Sequence, residues 1–507
     1  MSSGLSRRDF LKLISLTPVS IFGRPLLNLP ASAGVDAPNI IIIVFDAWSA
    51  NHVSLYGYPR QTMPNLERFA ENATVYHNHF TAGTFTVPGT SSVLTGLHPW
   101  SHRALQLGAG IIADHVDHNI FSVLSDTHST LGYAQNQLAD QILYQTTNHL
   151  DTHIRNGSLN LQRNLVYSAP IFDKDGRMAF ASFEDRIFQK GAGYDASLFL
   201  GPLYRLFNLR ERLRATSRYG RDYPRGLPDT AEFFILEDVV DGAIEILKGI
   251  RQPTLAYLHF HPPHSPYNPT KEFYGTFAKG WQPPDVPVHS LSGGINKRSL
   301  RRQRRFYDEY MASWDDEVVR LFQYLKESGL AENSYIFLTS DHGELFERGE
   351  LGHWTPLLYD PVVHIPLIVW GPGQRAREDI HAFTSSTDIL PTVCHLTGHP
   401  IPAWAEGKPL PALGSADDGS RSVFSVDAKT NSSFRPLVNF SISVTRDFHR
   451  LVYYHYPTGD YNTFEFYDLE ADPLELNDLY SSRPALAMEM KDEVLQKIEE
   501  VNRPYRL

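Results

Sequence analysis

Two carboxylates and an imidazole stand where apolar segments of this chain end. Asp341 and His342 come shortly after the apolar run Tyr335–Leu338. Asp46 directly follows Asn39–Phe45, which is almost entirely Ile and Val. Each run predicts a buried strand, and open α/β sheets place their sites at the carboxyl ends of strands. The sequence therefore predicts that these side chains converge as ligands of one hard divalent cation.

The hydroxyl of Thr86 is a further candidate for chemistry. Thr86 opens the small, polar stretch Thr86–Gly96, and Pro88 suits the first turn of a helix. Thr86 is therefore predicted just before a helix N-terminus, where free amides and the helix dipole favour an alkoxide or a tetrahedral anion. A threonine in this setting is more often a cap or turn residue, so the stretch alone leaves both roles open.

The predicted strands and helices that carry these residues alternate along the chain. Strand-like runs alternate with helical patterns, which predicts an α/β fold with a mostly parallel sheet flanked by helices on both faces. The predicted strands are Asn39–Phe45, Leu255–Phe260, Tyr335–Leu338 and Ile365–Trp370, and the predicted helices are Met63–Asn72, Pro88–Gly96, Phe234–Gly249 and Arg304–Ser328.

Two segments do not follow this alternation of strands and helices. Residues 140–230 are polar, Arg-rich and weakly periodic, and we interpret them as an insertion over the site. After a catalytic domain over residues 34–414, residues 415–507 are predicted to form a small C-terminal α+β subdomain. Its predicted elements are strands at Ser422–Val426, Ser441–Val444, Arg450–Tyr454 and Phe464–Tyr467, and a helix near Ala485–Val501.

Residues 1–33 are predicted to be a twin-arginine signal peptide rather than part of the fold. The segment Ser6–Lys12 contains the arginine pair, Leu11–Phe22 is weakly apolar, and Ala31–Ala33 suits cleavage. The apolar stretch is too short to span a bilayer. We expect folded export by the twin-arginine machinery to a periplasmic or extracellular location; a disordered basic N-terminus is the alternative.

Composition narrows the function classes. The 507 residues carry a formal net charge of -11, which argues against a nucleic-acid binder. A single cysteine excludes an internal disulfide. Basic stretches at residues 297–305 and 205–225 could steer an anionic substrate or make peripheral contact with an anionic membrane. Solvated helix faces are the alternative that we favour.

Several ordered motifs match those of one enzyme group. They are Asp46 with Leu55–Tyr58, Thr62–Leu66, Thr86–Gly96, His261–Tyr267, Asp341–Glu344, Gly352-His353 with Tyr359, Ile365–Ile368, and Tyr467–Leu469 with Asp472-Pro473. On these motifs the chain resembles the sulfatase family of the alkaline phosphatase superfamily, over nearly all its length except residues 140–230. The resemblance implies an alkaline-phosphatase-like fold and a hydrolase acting on ester bonds.

Three positions depart from the family pattern. Sulfatases carry a Cys or Ser that is oxidised to formylglycine, whereas this chain has Thr86, which is not a substrate for that oxidation. The family usually has an Arg three or four residues later, where this chain has Gly89 and Thr90. A second Asp usually follows the first, and here that place is Ala47.

The threonine changes the expected reaction. A formylglycine hydrate has one hydroxyl that attacks and another that expels sulfate, but Thr86 has only one. An adduct on Thr86 must be displaced by a second nucleophile, as in the superfamily's phosphatases and its phosphoethanolamine and glycerol-phosphate transferases. Similarity to those transferases implies a threonine nucleophile and four metal ligands, Asp46, Thr86, Asp341 and His342.

The resemblance also bears on the metal and on further site residues. The missing second Asp and the imidazole favour Mn²⁺ or Zn²⁺, with Ca²⁺ and Mg²⁺ left open. His264 and His353 are expected to protonate the leaving group or to contact nonbridging oxygens. A site role and a structural role are equally open for His261. Asn136 and Asp315 match family positions that we interpret as structural.

The expected function is cleavage or transfer of phosphomonoesters, phosphodiesters or phosphonates through a phospho-Thr intermediate. The substrate would be a small-molecule, lipid or glycan ester. One alternative is a sulfuric ester hydrolase that works without formylglycine. The other is a catalytically silent binder of anionic glycans or lipids.

Overall fold

The structure is a computed structural model that describes residues 37–161, 200–228, 233–416, 419 and 421–506. The predicted signal peptide lies outside the described residues, and so does part of the predicted insertion. Within the described ranges, no helix combines the length and the apolar composition that crossing a bilayer requires.

An eight-stranded sheet forms the centre of the protein. Its strands are β1 (Asn39–Phe45), β2 (Thr74–Phe80), β3 (Ser129–Ala134), β4 (Thr152–Ile154), β5 (Thr254–Phe260), β6 (Ser334–Thr339), β7 (Leu367–Trp370) and β8 (Glu378–Ser385). The order is β4-β3-β5-β1-β6-β7-β2-β8. Only β7 runs antiparallel to its neighbours, β6 and β2. The predicted mostly parallel α/β sheet is confirmed.

The central strand β1 is buried on both faces, which explains its unbroken apolar sequence. Ile41, Ile43 and Phe45 enter one hydrophobic core, and the alternate residues, such as Ile40 and Ile42, enter another. Successive side chains of a strand point to opposite faces. The sheet therefore separates two cores, each covered by helices.

The described residues form eleven α-helices, several of which cover the two faces of this sheet. They are α1 (Pro64–Ala70), α2 (Thr86–Thr95), α3 (Pro99–His102), α4 (Ile120–Leu124), α5 (Gln137–Gln145), α6 (Leu200–Tyr219), α7 (Leu236–Lys248), α8 (Lys297–Glu327), α9 (Asp360–Val363), α10 (Ile389–Leu396) and α11 (Ala485–Asn502). α7 and α8 contribute to the first core, through residues such as Val240 and Trp314. α2 and α10 contribute to the second, through residues such as Val93 and Val393.

A second, antiparallel sheet follows towards the C-terminus. It consists of β9 (Val423–Asp427), β10 (Phe440–Arg446), β11 (His449–Tyr456) and β12 (Tyr461–Asp468), in the order β12-β11-β10-β9. Apolar residues of α11 pack on it. The edge strand β9 also contacts the main domain, because Val426 donates its backbone N–H to the Ala82 carbonyl at 2.9 Å. The predicted C-terminal α+β subdomain is confirmed.

The basic stretch at residues 297–305 forms the first turns of α8. Arg304 is buried and pairs with Glu347 at 2.6 Å. Lys297 and Arg301 pair with Asp285 on the surface. Part of this charge is thus neutralised by neighbouring carboxylates.

The partly exposed carboxylate of Glu406 fastens a loop to the start of α3. Glu406 accepts hydrogen bonds from the backbone N–H of His98 at 2.6 Å, from Trp100 Nε1 and from Ser101 Oγ. Burial alone would raise the pKa of Glu406, but the hydrogen bonds and charge of His98 and the Trp100 bond lower it to about 2. The carboxylate therefore stays ionised and binds the two segments together.

Replacing this carboxylate should make stability depend on pH in a defined way. Its folded-state pKa lies below its ordinary value of 4.5. Its contribution is therefore complete above that value and is lost as the pH falls towards about 2. We expect Glu406→Gln to lower the free energy of unfolding by only about 1–2 kcal/mol at pH 7, because solvent screens part of the charge of this partly exposed group. Urea titrations at several pH values should show the deficit shrinking in acid.

The control is Glu499→Gln, which removes an exposed partner of Arg506. It should cost less than about 1 kcal/mol, because exposed ion pairs contribute little. A Glu406→Gln deficit that is equally large at pH 3 and pH 7 would contradict this assignment.

Candidate active site

Three neighbouring strands bring the site together. β5, β1 and β6 are adjacent in the sheet, and β1 runs parallel to both of the others. Asp46 follows β1, His259 is the penultimate residue of β5, and Asp341 lies two residues beyond β6. One ligand atom from each of these side chains falls within 4.8 Å of the other two, and all three are buried. Parallel register therefore produces the convergence predicted for the two carboxylates.

Two imidazoles complete the cluster. His259 Nε2 lies 3.3 Å from Asp46 Oδ2 and 3.7 Å from Asp341 Oδ2. His342 Nε2 lies 3.5 Å from Asp46 Oδ1 and 3.5 Å from Asp341 Oδ2. Thr86 Oγ1 is 3.5 Å from His342 Nε2. The four residues predicted as ligands thus share one location, and His259 joins them.

The oxygens of this cluster suit a cation. Among the described residues, buried Asp46 Oδ1 and Asp341 Oδ2 have no hydrogen-bond partner. Buried carboxylates without partners are costly unless a positive charge compensates them. Burial and the neighbouring charge of Asp46 raise the pKa of Asp341. Burial would also raise that of Asp46, but the charges of nearby imidazoles, His264 first, lower it. The residues present fit a divalent metal.

The imidazoles are held in a ligand-competent form. His342 Nδ1 lies 2.9 Å from the carbonyl oxygen of Gly343, which can only accept, so Nδ1 carries the proton and Nε2 is free to ligate. Burial lowers the pKa of His342 and favours its neutral state. His259 Nδ1 lies 3.1 Å from the hydroxyl of Tyr257, which leaves its Nε2 towards the carboxylates.

The turn after β6 depends on a glycine. A Cβ on Gly343 would lie 2.1 Å from the carbonyl oxygen of Pro361. The close approach allows Gly343 N–H to donate to the Val362 carbonyl at 2.8 Å. Any larger residue would displace His342 and Asp341, because they directly precede this contact.

Ala47 stands where the family pattern has a second aspartate, and its backbone makes specific contacts. Ala47 adopts a left-handed conformation with φ of 58°. Its N–H donates to Asp341 Oδ1 at 3.2 Å, and its carbonyl accepts from the Tyr307 hydroxyl at 2.7 Å. The loop after β1 is therefore fixed by main-chain contacts to the loop after β6.

Thr86 is the first residue of α2, so the predicted position just before the helix is wrong by one residue; Phe85 is the N-cap. Thr86 is 2% exposed. A Cβ on Gly89 would lie 2.3 Å from the carbonyl oxygen of Asp341. This close approach leaves no room for a side chain at position 89, one of the two positions where the family usually carries an arginine, and it places the start of α2 against the loop after β6.

Asn136 belongs to the site as well as to a helix cap. Its Oδ1 accepts from Leu138 N–H at the start of α5, as expected for a structural residue. Its Nδ2 also donates to Asp46 Oδ2 at 2.5 Å and to Thr86 Oγ1 at 3.4 Å. The structural role predicted from sequence therefore accounts for the bond to Leu138 but not for those to Asp46 and Thr86. Asp315, by contrast, accepts backbone N–H groups at the start of α1.

A second group of imidazoles lines the outer side of the cluster. The His353 ring lies 4.1 Å from that of His342 and 5.0 Å from that of His264, centroid to centroid. His353 Nδ1 is 3.0 Å from buried Glu344 Oε1. His261 lies 4.7 Å from His264. His264 and His353, predicted from sequence, are therefore brought beside the nucleophile candidate.

The electrostatics of these imidazoles differ. Burial lowers the pKa of His261 well below its ordinary value. Burial acts on His264 in the same direction, but the charges of Asp46 and Glu344 outweigh it and raise its pKa. His264 is thus the better proton carrier of the two. The arrangement combines a hydroxyl at a helix N-terminus, a cation site and a proton donor.

Comparisons with known proteins agree with this geometry. The family model described as Sulfatase matches residues 38–399. A model described as N-sulphoglucosamine sulphohydrolase, C-terminal, matches residues 349–503. Multifunctional alkaline phosphatase superfamily protein PehA from Trinickia caryophylli is 23% identical over 506 residues, covering 90% of this chain and 93% of that protein.

An arylsulfatase and a phosphonate monoester hydrolase are also similar to this chain. An arylsulfatase from Clostridium perfringens is 22% identical over 492 residues, covering 88% of this chain and 90% of that protein. The crystal structure of the phosphonate monoester hydrolase of Agrobacterium radiobacter aligns with a TM-score of 0.65 at 19% identity, over 92% of this chain and 96% of that one. The fold is therefore shared across enzymes named for sulfate and for phosphonate esters.

The cation site can be tested directly. We expect the purified protein to bind about one divalent ion per chain, and Asp341→Asn to weaken that binding by at least about tenfold, since even outer-shell partners contribute that much. Elemental analysis and thermal unfolding with and without a chelator measure this. Chelation should lower the Tm of the wild type but not that of the variant.

The matched control is Asp379→Asn, an exposed carboxylate that pairs with His77. It should keep the metal and the chelator response. A wild-type protein that is folded, metal-free and insensitive to chelator would contradict the cation site.

Proposed function

The chain belongs to the sulfatase family of ester hydrolases, and from that premise we propose that it cleaves phosphoesters through a covalent intermediate on Thr86. The substrates would be phosphomonoesters, phosphodiesters or phosphonate esters. The observation that carries the proposal is the buried Thr86 hydroxyl, 3.5 Å from His342 Nε2 and 3.4 Å from Asn136 Nδ2 at the start of α2.

The single hydroxyl decides the reaction type. Sulfatases that use formylglycine release sulfate by collapse of a hydrate, and that route needs two hydroxyls on one carbon. Thr86 offers one, so the bond that it forms to the reacting centre must be broken by attack on that centre. Phosphoryl transfer proceeds readily in this way, by two successive in-line displacements.

The two steps balance as follows. In the first, Thr86 Oγ1 gives its proton to solvent and bonds to phosphorus, while the bond from phosphorus to the ester oxygen breaks and that oxygen takes a proton from His264. In the second, water or an acceptor hydroxyl bonds to phosphorus and gives its proton to His264, while the phosphorus–Thr86 bond breaks and Thr86 Oγ1 takes a proton from solvent. The free amides at the start of α2 and Asn136 Nδ2 favour the negative charge on the oxygens.

The cation completes this scheme. Asp46, Asp341 and His342 would hold it, with His259 and the Thr86 hydroxyl as further donors. Bound there, a divalent ion supplies a Lewis acid that lowers the pKa of the hydroxyl. Two carboxylates with two imidazoles favour Mn²⁺ or Zn²⁺ over Ca²⁺, which prefers oxygen ligands alone.

The outer imidazoles, His264 and His353, have different roles in this scheme. His264 is partly exposed and keeps its proton because Asp46 and Glu344 raise its pKa against the effect of burial, which suits a general acid. His353 is oriented by Glu344 at 3.0 Å. Its ring lies between those of His342 and His264, where it can contact a nonbridging oxygen.

A second candidate function is hydrolysis of sulfuric esters without formylglycine. The family match and the arylsulfatase relative favour it. Paired assays with aryl phosphate, aryl phosphodiester and aryl sulfate separate the two enzymes, because the preferred ester should be turned over far faster. A folded protein that binds metal but turns over none of them would support the third alternative, a binder of anionic glycans or lipids.

Substitution of the nucleophile is the decisive test. We expect Thr86→Ala to lower kcat by at least about 10³-fold, since nucleophile removal has effects of that size or more. Thr86→Ser, which keeps a hydroxyl, should retain a large part of the activity. Acid-quenched samples of the wild type should contain a phosphorylated peptide that includes residue 86, detected by mass spectrometry.

The control for this test is the metal content and Tm of each variant, which should stay close to wild type. Full turnover by Thr86→Ala on every ester would refute the scheme.

Replacement of the proton donor should depend on the leaving group. His264→Gln should slow phenyl and alkyl esters by roughly 10²-fold, whereas p-nitrophenyl esters, whose leaving group needs little protonation, should change by only a few-fold. Steady-state kinetics across a series of leaving groups measures this. An equal loss for every leaving group would assign His264 to substrate binding instead.

A further inference from the structure

A half-exposed tryptophan lies at the edge of the active site. Trp354 directly follows His353 and is 45% exposed, which is unusual for so large an apolar side chain. Its ring lies 4.7 Å from that of Phe85, in an edge-on arrangement. Phe85 is the residue immediately before Thr86. The indole therefore contacts the segment that carries Thr86 and is adjacent in sequence to His353.

The burial of the site determines which part of a bound substrate lies beside the indole of Trp354. Asp46 and Asp341 are fully buried and Thr86 is 2% exposed. His264 and His353, in contrast, are partly exposed and mark the open side. A substrate whose central atom reaches Thr86 must keep its remaining substituent on that side. The exposed part of Trp354 borders the space that this substituent occupies.

The C-terminal sheet supports the indole in place. Lys429 Nζ lies over the Trp354 ring, 5.4 Å from its centroid, and pairs with Asp427 Oδ2 at 2.8 Å. Asp427 is the last residue of β9 and Lys429 follows two residues later; β9 is fastened beside the nucleophile segment by the bond from Val426 N–H to the Ala82 carbonyl. Because Asp427 offsets the charge of Lys429, the surface beside the indole suits apolar contact.

We propose that Trp354 is a platform for the leaving group and binds a ring with a flat apolar face. This inference rests on the proposed function, because Thr86 defines where the ester lies. A rigidly held indole offers a large apolar surface at small entropic cost, and rings stack on it in offset or edge-on geometry. An aryl group and the apolar face of a sugar share this chemistry, whereas a methyl ester offers almost no surface.

Binding of three phosphonic acids to the metal-loaded protein tests the platform without turnover. Methylphosphonate, phenylphosphonate and the 6-phosphonomethyl analogue of glucose differ only in the group beyond phosphorus. By calorimetry, Trp354→Ala should weaken the phenyl or the glucosyl compound by roughly two- to tenfold, the range that aromatic contacts contribute, and leave methylphosphonate unchanged. Trp354→Phe should recover part of the loss, and the ring compound that loses more identifies the leaving-group class.

The control is Phe448→Ala, an exposed aromatic residue at the turn between β10 and β11, which should alter none of the three affinities. Equal weakening of all three compounds, no change in any, or no wild-type binding of a ring compound overturns the platform. Its failure is distinct from failure of the proposed function, which is decided by the turnover of Thr86→Ala and does not enter the calorimetry.

Discussion

The candidate site depends on two carboxylates that are buried side by side. β1 and β6 are adjacent in the sheet, so Asp46 and Asp341 emerge next to each other, and each has an oxygen without a hydrogen-bond partner among the described residues. Such a pair is unfavourable unless a cation compensates it. The imidazoles of His259 and His342, and the amide of Asn136, are all arranged around that constraint.

Close backbone packing occurs at two positions near the departures from the family pattern. Gly89, at one of the two positions where the family usually carries an arginine, lies against the Asp341 carbonyl, and the N–H of Ala47, where the family carries a second aspartate, binds the Asp341 carboxylate. The charged groups that act most strongly on Asp46 are imidazoles, led by His264. Asp46 in turn favours the protonated form of His264, which fits proton transfer to a leaving group.

The predicted elements were most accurate where burial is complete. β1 was predicted to the residue, and β6 within one residue at each end, because unbroken apolar runs have few alternatives. β2, β3, β4 and β8 were not predicted. β3 is buried but contains Gly132, a residue depleted in strands, and β4 has only three residues. β2 contains His77, Asn78 and His79, and β8 begins with exposed Glu378 and Asp379, so neither shows a clear periodicity. Their pairing at the sheet edge, not their own sequence, makes them strands.

The reactive groups can be recognised in the sequence, because local pattern and family motifs point to a threonine hydroxyl at a helix start, two strand-end carboxylates and an adjacent imidazole. The fold alone shows that His259 and Asn136 join them. His259 is 213 residues from Asp46 and lies inside an apolar strand, and Asn136 forms a helix cap and matches a family position that suggests a structural role. Neither pattern places these side chains at the site, because their proximity to Asp46 comes from parallel strand register and from the folding of β3 and α5 beside β5.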